Sequence, residues 1–148
     1  MQGFLNLASA AGLALALGLS GVLAGPAAAD EAKSVQDVIG GDEFRISCSS
    51  CHGLTGKGDG AVAEFLKVKP TDLTQIAKKN GGVFPIADIE KVVDGRGGVR
   101  VHGSEMPVWG NRYSAESTES YGAFVGEMVL RARILSLVFY LQSIQQQP

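Results

Sequence analysis

The residue types that could do chemistry are concentrated in one short run, Cys48-Ser49-Ser50-Cys51-His52. Two cysteines separated by two residues and followed directly by a histidine form the C-x-x-C-H pattern of c-type haem attachment. Two thiols on one helical turn can add to the two vinyl groups on one edge of a haem, and the adjacent imidazole can bind the iron. The motif therefore predicts one covalently attached haem c per chain, with Cys48 and Cys51 as thioethers and His52 as an iron ligand.

Three other interpretations of the two cysteines fit the sequence less well. A thioredoxin-like redox pair needs a βαβ context, and no alternating apolar run here supports a sheet. A zinc site needs a second pair of cysteine or histidine ligands, and only His102 remains. A plain disulfide leaves the adjacent His52 without a role.

A second axial ligand for the iron has few candidates. Met106 lies 54 residues after His52 in a glycine-rich stretch, and Pro107 follows it and restricts its backbone. Met128 falls within a predicted helix, where a thioether in the core is the ordinary interpretation. His102 would give bis-histidine ligation, and an open or water-bound iron is the third alternative. The sequence favours Met106 as the sixth ligand.

Helix signals divide the chain into an all-α arrangement of about four helices, with roughly half of the chain in loops. The predicted helices run from Ser34 to about Ser47, over Asp72–Lys79, over about Ile86–Asp94 and from about Gly126 to Gln145. Residues 95–122 contain six glycines and no sustained apolar period. This stretch is therefore predicted to be a long ordered loop.

Several further residues carry a family resemblance. The run Gly40-x-x-x-Phe44-x-x-x-Cys48 matches a first helix in which glycine allows the last helix to cross at close range, and Leu137 and Tyr140 match the partner residues on that last helix. The stretch from Asp94 to Gly110 is similar to a methionine-ligand loop of one bacterial subgroup. On these residues the chain resembles a class I cytochrome c of the bacterial monohaem kind.

The resemblance implies a small helical fold wrapped around one haem, with the first and last helices crossing. It also makes the carbonyl of Pro70 the candidate acceptor for the ring N–H of His52, since ligating histidines usually donate such a bond. Arg96, His102 and Trp109 are candidates for hydrogen bonds to the haem propionates. A solvated position for Arg96 and packing of Trp109 against the haem face are the alternatives.

The N-terminal 29 residues contain no charged side chain, whereas all 13 basic and 15 acidic residues lie at or after Asp30. An apolar core over Leu13–Leu23 and three small residues at Ala27–Ala29 predict an export signal cut before Asp30. The predicted mature domain is then residues 30–148, and the predicted location is the periplasm. Retention of the segment as a membrane anchor is the alternative, and only then is membrane contact expected.

The formal charge of −2 argues against a nucleic-acid-binding surface, because such surfaces carry an excess of positive charge. With both axial positions filled, the iron offers no open site for a substrate, so the chain is predicted to be an electron carrier and not itself an enzyme. It would pass electrons between redox protein partners. The alternatives are a haem subunit of a periplasmic dehydrogenase or terminal oxidase, and a haem gas sensor or enzyme with an open sixth site.

Overall fold

Helices make up 67% of the residues that the structure describes, and no strand occurs among them. The computed structural model describes residues 35–98 and 106–146, all within one compact unit, Ala32–Pro148. The all-α class is confirmed, whereas the loop content is lower than predicted. In the described part of the chain, no helix is both long and apolar enough to cross a bilayer. The predicted export signal, the predicted helix cap Ser34 and the candidate ligand His102 lie outside the described residues.

The first helix, the helix over residues 86–94 and the end of the last helix lie close to the positions that the local signals predict. The helices are α1 (Val35–Ser47), α2 (Ser49–His52), α3 (Ile76–Lys79), α4 (Ile86–Asp94) and α5 (Trp109–Ser143), with short 3₁₀ turns at Ala63–Phe65 and Leu73–Gln75. The helix predicted over Asp72–Lys79 is thus a 3₁₀ turn followed by α3. Asp72 caps this turn by accepting a 2.9 Å hydrogen bond from the amide of Thr74. Helix α4 has the predicted bounds and ends at the left-handed Gly95.

The long helix α5 folds back on itself at Gly122, whose φ of 76° and ψ of 168° interrupt the helical backbone. Its first arm is residues 109–121 and its second arm is residues 123–143. Arg133 on the second arm lies 3.0 Å from Glu116 on the first. In a straight helix these residues would be about 25 Å apart, because each residue adds about 1.5 Å. The two arms therefore form a helical hairpin.

The first arm of α5 corrects the prediction of a continuous loop over residues 95–122. Its buried face consists of Trp109, Gly110, Tyr113 and Ser117, which recur mainly every fourth residue. Only two of these side chains are large and apolar, so the sequence shows no sustained apolar period. The helix is instead stabilised by contact with the second arm, where Gly126 packs directly on the backbone of Ser117.

Helix α1 crosses the second arm of α5 at Gly40, as predicted. A Cβ atom at Gly40 would lie 2.0 Å from the carbonyl oxygen of Ser136 and 2.8 Å from the Cβ of Tyr140. Only a residue without a side chain allows the two backbones to approach this closely. The ring of Phe44 packs against that of Tyr140 at a centroid distance of 5.3 Å, and Leu137 is fully buried beside them.

Candidate functional site

The C-x-x-C-H motif lies where α1 ends and α2 begins. Cys48 joins the two helices, and its carbonyl oxygen accepts hydrogen bonds from the amides of Cys51 and His52 at 3.2 and 2.8 Å. Gly53, with a φ of 78°, ends α2 immediately after His52. The motif is therefore a single compact turn, and it brings the two cysteines and the histidine to one side of the helix junction.

The imidazole of His52 is buried and oriented by the backbone. Its Nδ1 lies 3.0 Å from the carbonyl oxygen of Thr71. Because a carbonyl can only accept, Nδ1 carries the proton in this contact, and this tautomer leaves the lone pair on Nε2. Such a second contact is typical of a metal-ligating histidine.

The acceptor for His52 differs by one residue from the predicted Pro70. The carbonyl oxygen of Pro70 lies close to Gly58, where a Cβ atom would be only 2.3 Å from it. The next carbonyl, that of Thr71, is the one that contacts the imidazole. Pro70 still contributes to the site, because its ring lines the cavity beside the motif.

Two adjoining apolar cavities lie against the motif. The first encloses about 510 Å³, including space open to solvent, and its apolar lining comprises Leu66, Val68, Pro70, Met106, Pro107 and Trp109. The second encloses about 740 Å³ on the same basis, and its lining includes Leu73, Ile76, Ile89, Val93, Leu137 and Leu141. Cys48, His52 and Met106 line both cavities.

The apolar linings and the donor atoms of the two cavities fit an apolar group that carries a metal. Ligand pockets are typically lined by apolar side chains with a few polar groups that fix the ligand. An imidazole from α2 and a thioether from Met106, 54 residues later in the sequence, lie on the same space. Haem iron is commonly bound by this pair of ligands. The residues present therefore fit a haem.

The thiol of Cys48 has the properties of a buried, unreactive cysteine. Burial raises its pKa to about 12, and the nearby charges of Glu43 and Cys51 act in the same direction. The thiols of redox-active pairs have lowered pKa values instead, because the thiolate is the reactive form. The thioredoxin-like alternative therefore lacks its main chemical requirement at Cys48.

The described part of the chain also contains no set of ligands for the zinc alternative. Within residues 35–98 and 106–146, no group of three or more histidine, cysteine, aspartate and glutamate side chains is arranged to hold a metal ion. A structural zinc site needs four such ligands.

Two of the predicted peripheral residues lie in different surroundings. Trp109 is 6% exposed and lines the first cavity beside Met106, which agrees with a packing role. Arg96 instead forms ion pairs with Asp94 at 2.7 Å and with Glu127 at 2.9 Å. Its guanidinium is engaged on both sides by carboxylates, and Arg96 is not among the residues that line the cavities.

Met128 does not belong to the core as predicted, since its side chain is 59% exposed. It lies on the outer side of the second arm of α5, whose inner side carries the buried Leu130 and Ile134. Of the two methionines in the described residues, Met106 is therefore the one that lies close to the motif.

Comparison with known proteins finds no match for this chain: no protein-family model, no curated protein and no solved structure is similar to it.

Proposed function

We propose that this chain is an exported electron carrier that holds one c-type haem, in the manner of the class I cytochromes c that its sequence resembles. The observation that carries the proposal is the meeting of Met106 with Cys48 and His52 on the same apolar cavities. A protein that only formed a disulfide or bound zinc at the motif would need neither the thioether nor the apolar space.

Each part of the site has a role in this proposal. Cys48 and Cys51 hold the group covalently, so it cannot dissociate between electron transfers. Thr71 fixes the tautomer and the rotation of the His52 ring, which directs Nε2 at the metal. Met106 supplies a neutral, soft sulfur ligand. The apolar lining would surround the group and limit the access of water to it. Haem bound in this way supplies an iron that accepts and releases one electron.

The proposal is tested by denaturing the purified, exported protein and extracting it with acidified acetone. Because thioethers survive denaturation, we expect the haem to stay with the polypeptide and the thiols of Cys48 and Cys51 to be blocked. A Cys48→Ser/Cys51→Ser double variant is the matched control, and its haem should be extracted. Colourless wild-type protein with two free thiols would overturn the proposal.

A further inference from the structure

The position of Met106 depends on the first arm of α5. Only Pro107 and Val108 separate Met106 from Trp109, the first residue of that arm. On the other side of Met106 the sequence is rich in glycine, with four glycines between residues 95 and 103. Glycine imposes few backbone restrictions, whereas a packed helix defines the course of the adjoining chain. Whatever orients the first arm therefore also orients Met106.

A partly buried ion cluster holds this arm against two other elements. Arg133 on the second arm forms ion pairs with Glu43 on α1 and with Glu116 on the first arm, the latter at 3.0 Å. The side chains of Arg133 and Glu43 are only 25% and 14% exposed. The planar guanidinium thus joins three elements at one point, with the directional bonds that an arginine can form.

Tyr113 connects this cluster to the motif. Its ring lies 4.0 Å beneath the guanidinium of Arg133, and its hydroxyl group donates a 2.9 Å hydrogen bond to the hydroxyl oxygen of Ser47. Ser47 directly precedes Cys48 and lines the first cavity. Tyr113 is 1% exposed, so this contact is protected from water. The first arm is thereby tied to the residue next to the attachment motif.

A buried ion pair contributes little to stability compared with a well-packed apolar pair, because its charges lose their hydration. Such a cluster can nevertheless select one arrangement of the elements that it joins. We propose that Arg133 and Tyr113 are positioning residues that hold the first arm of α5 in register with α1 and so keep the sulfur of Met106 at the metal. This inference rests on the proposed function.

The test uses the holoprotein with Tyr113→Phe, which removes one hydroxyl group and keeps the ring, and with Arg133→Met. The measurement is the rate of carbon monoxide binding to the ferrous protein, which rises with the fraction of molecules in which Met106 has left the metal. Loss of one buried hydrogen bond should raise that fraction and the rate about five- to tenfold. The near-infrared sulfur-to-iron absorption of the ferric protein should weaken in parallel.

Two controls separate positioning from general stability. Tyr121→Phe removes a hydroxyl group from the same arm, at a ring that is 59% exposed, and should leave the carbon monoxide rate unchanged. Phe84→Ala should lower the melting temperature by truncating a core side chain that lines neither cavity, yet leave the rate unchanged as well.

Three outcomes of these measurements would support or overturn the positioning role of Arg133 and Tyr113. Faster binding in Tyr113→Phe with unchanged controls supports the inference, even if Arg133→Met does not fold. Wild-type rates in Tyr113→Phe and in a folded Arg133→Met, or faster binding in all destabilised variants alike, would overturn the inference alone. A wild-type holoprotein without the near-infrared absorption would overturn the proposed methionine ligation, and the inference with it.

Discussion

Met106 and Met128 have the same side chain in different surroundings, and Met128 is therefore a control for the ligation that we propose for Met106. Met106 lines both cavities together with His52, whereas Met128 is 59% exposed. A thioether is a soft, neutral donor that stabilises ferrous iron and raises the reduction potential. The side chain of Met106 is therefore expected to decide whether the metal is closed to exogenous ligands.

We predict that Met106→Ala abolishes the near-infrared sulfur-to-iron absorption of the ferric holoprotein, lowers its reduction potential and opens the ferrous iron to carbon monoxide. Absorption spectroscopy and a redox titration measure these changes. Met128→Ala is the matched control: it should keep the absorption band and change the free energy of unfolding by no more than about 0.5 kcal/mol, as exposed positions do. Rapid carbon monoxide binding by the wild type would favour the sensor or enzyme alternative.

At the scale of the elements, the two neighbouring glycines of α1 provide a test of the helix crossing. A Cβ atom at Gly40 would meet the backbone of Ser136 at 2.0 Å, whereas one at Gly41 would meet only the ring edge of Tyr140 at 3.3 Å. The backbone of a packed helix cannot move aside as the end of a side chain can. The same substitution should therefore have different effects at these two adjacent positions.

Gly40→Ala should lower the free energy of unfolding by about 1–3 kcal/mol, because overpacking forces the helices apart. Gly41→Ala should change it by less. The small movement that it requires of the Tyr140 ring costs stability, and a gain in helix propensity of up to about 1 kcal/mol offsets this cost. Denaturant titration of the two holoproteins measures the difference. Equal stability of the two variants would show that α1 and α5 do not cross at Gly40.

The ion pairs of Arg96 join the end of α4 to the second arm of α5 and make stability depend on pH. Hydrogen bonds from Arg96 hold the pKa values of Asp94 and Glu127 below their usual 3.8 and 4.5. Between the lowered and the usual values, the folded protein binds fewer protons than the unfolded chain. The stabilisation from these ion pairs is therefore fully present above about pH 5, and it is lost as the pH falls through the folded pKa values.

Arg96→Met should reduce this acid sensitivity, because both carboxylates then titrate closer to their usual pKa values. We expect the melting temperature of the wild type to exceed that of Arg96→Met at pH 7, and the difference to shrink between pH 5 and pH 3. Arg45→Met is the control, since Arg45 and Asp42 are both more than 60% exposed and such pairs contribute little. A constant difference across this range would contradict the prediction.

Local signals explain which elements could be predicted from the sequence. Helix α4 follows Pro85 and ends at Gly95, and both signals act within one turn of the helix. The first arm of α5 could not be predicted in this way, because its buried face depends on the second arm folding back at Gly122. The exposure of Met128 was missed for a different reason, because membership of a helix does not show which side of that helix faces the core.

The site shows the same division between local and distant determinants. The C-x-x-C-H motif is contiguous, so residue type and spacing suffice to identify it. The approach of Met106 to the motif was predicted from its side-chain chemistry, from its place before Pro107 in a glycine-rich stretch, and from the resemblance of that stretch to a methionine-ligand loop. Arg133 on the second arm meets Glu43 on α1 and Tyr113 and Glu116 on the first arm, and no spacing in the sequence indicates such a meeting. The ion pair between Arg96 and Glu127, which lie 31 residues apart, could not be predicted from the sequence for the same reason.

At the scale of the whole molecule, the distribution of charge divides the chain into two parts of different composition. Residues 1–29 carry no charged side chain, and every charged residue follows them. An apolar segment followed by Ala27–Ala29 is typical of an export signal with small residues at the cleavage site. We therefore propose that the domain from Asp30 onward reaches its haem only after export.

N-terminal sequencing of the mature holoprotein should accordingly begin at Asp30, and the protein should be in the periplasmic fraction. Deleting residues 2–29 should leave the motif intact but keep the chain in the cytoplasm, where it should contain no covalent haem, because attachment takes place outside the cytoplasm. Haem staining of the two proteins on a denaturing gel measures this difference. Covalent haem on the deletion variant would contradict the link between export and attachment. A wild-type chain that starts at Met1 and fractionates with membranes would show that the segment is an anchor.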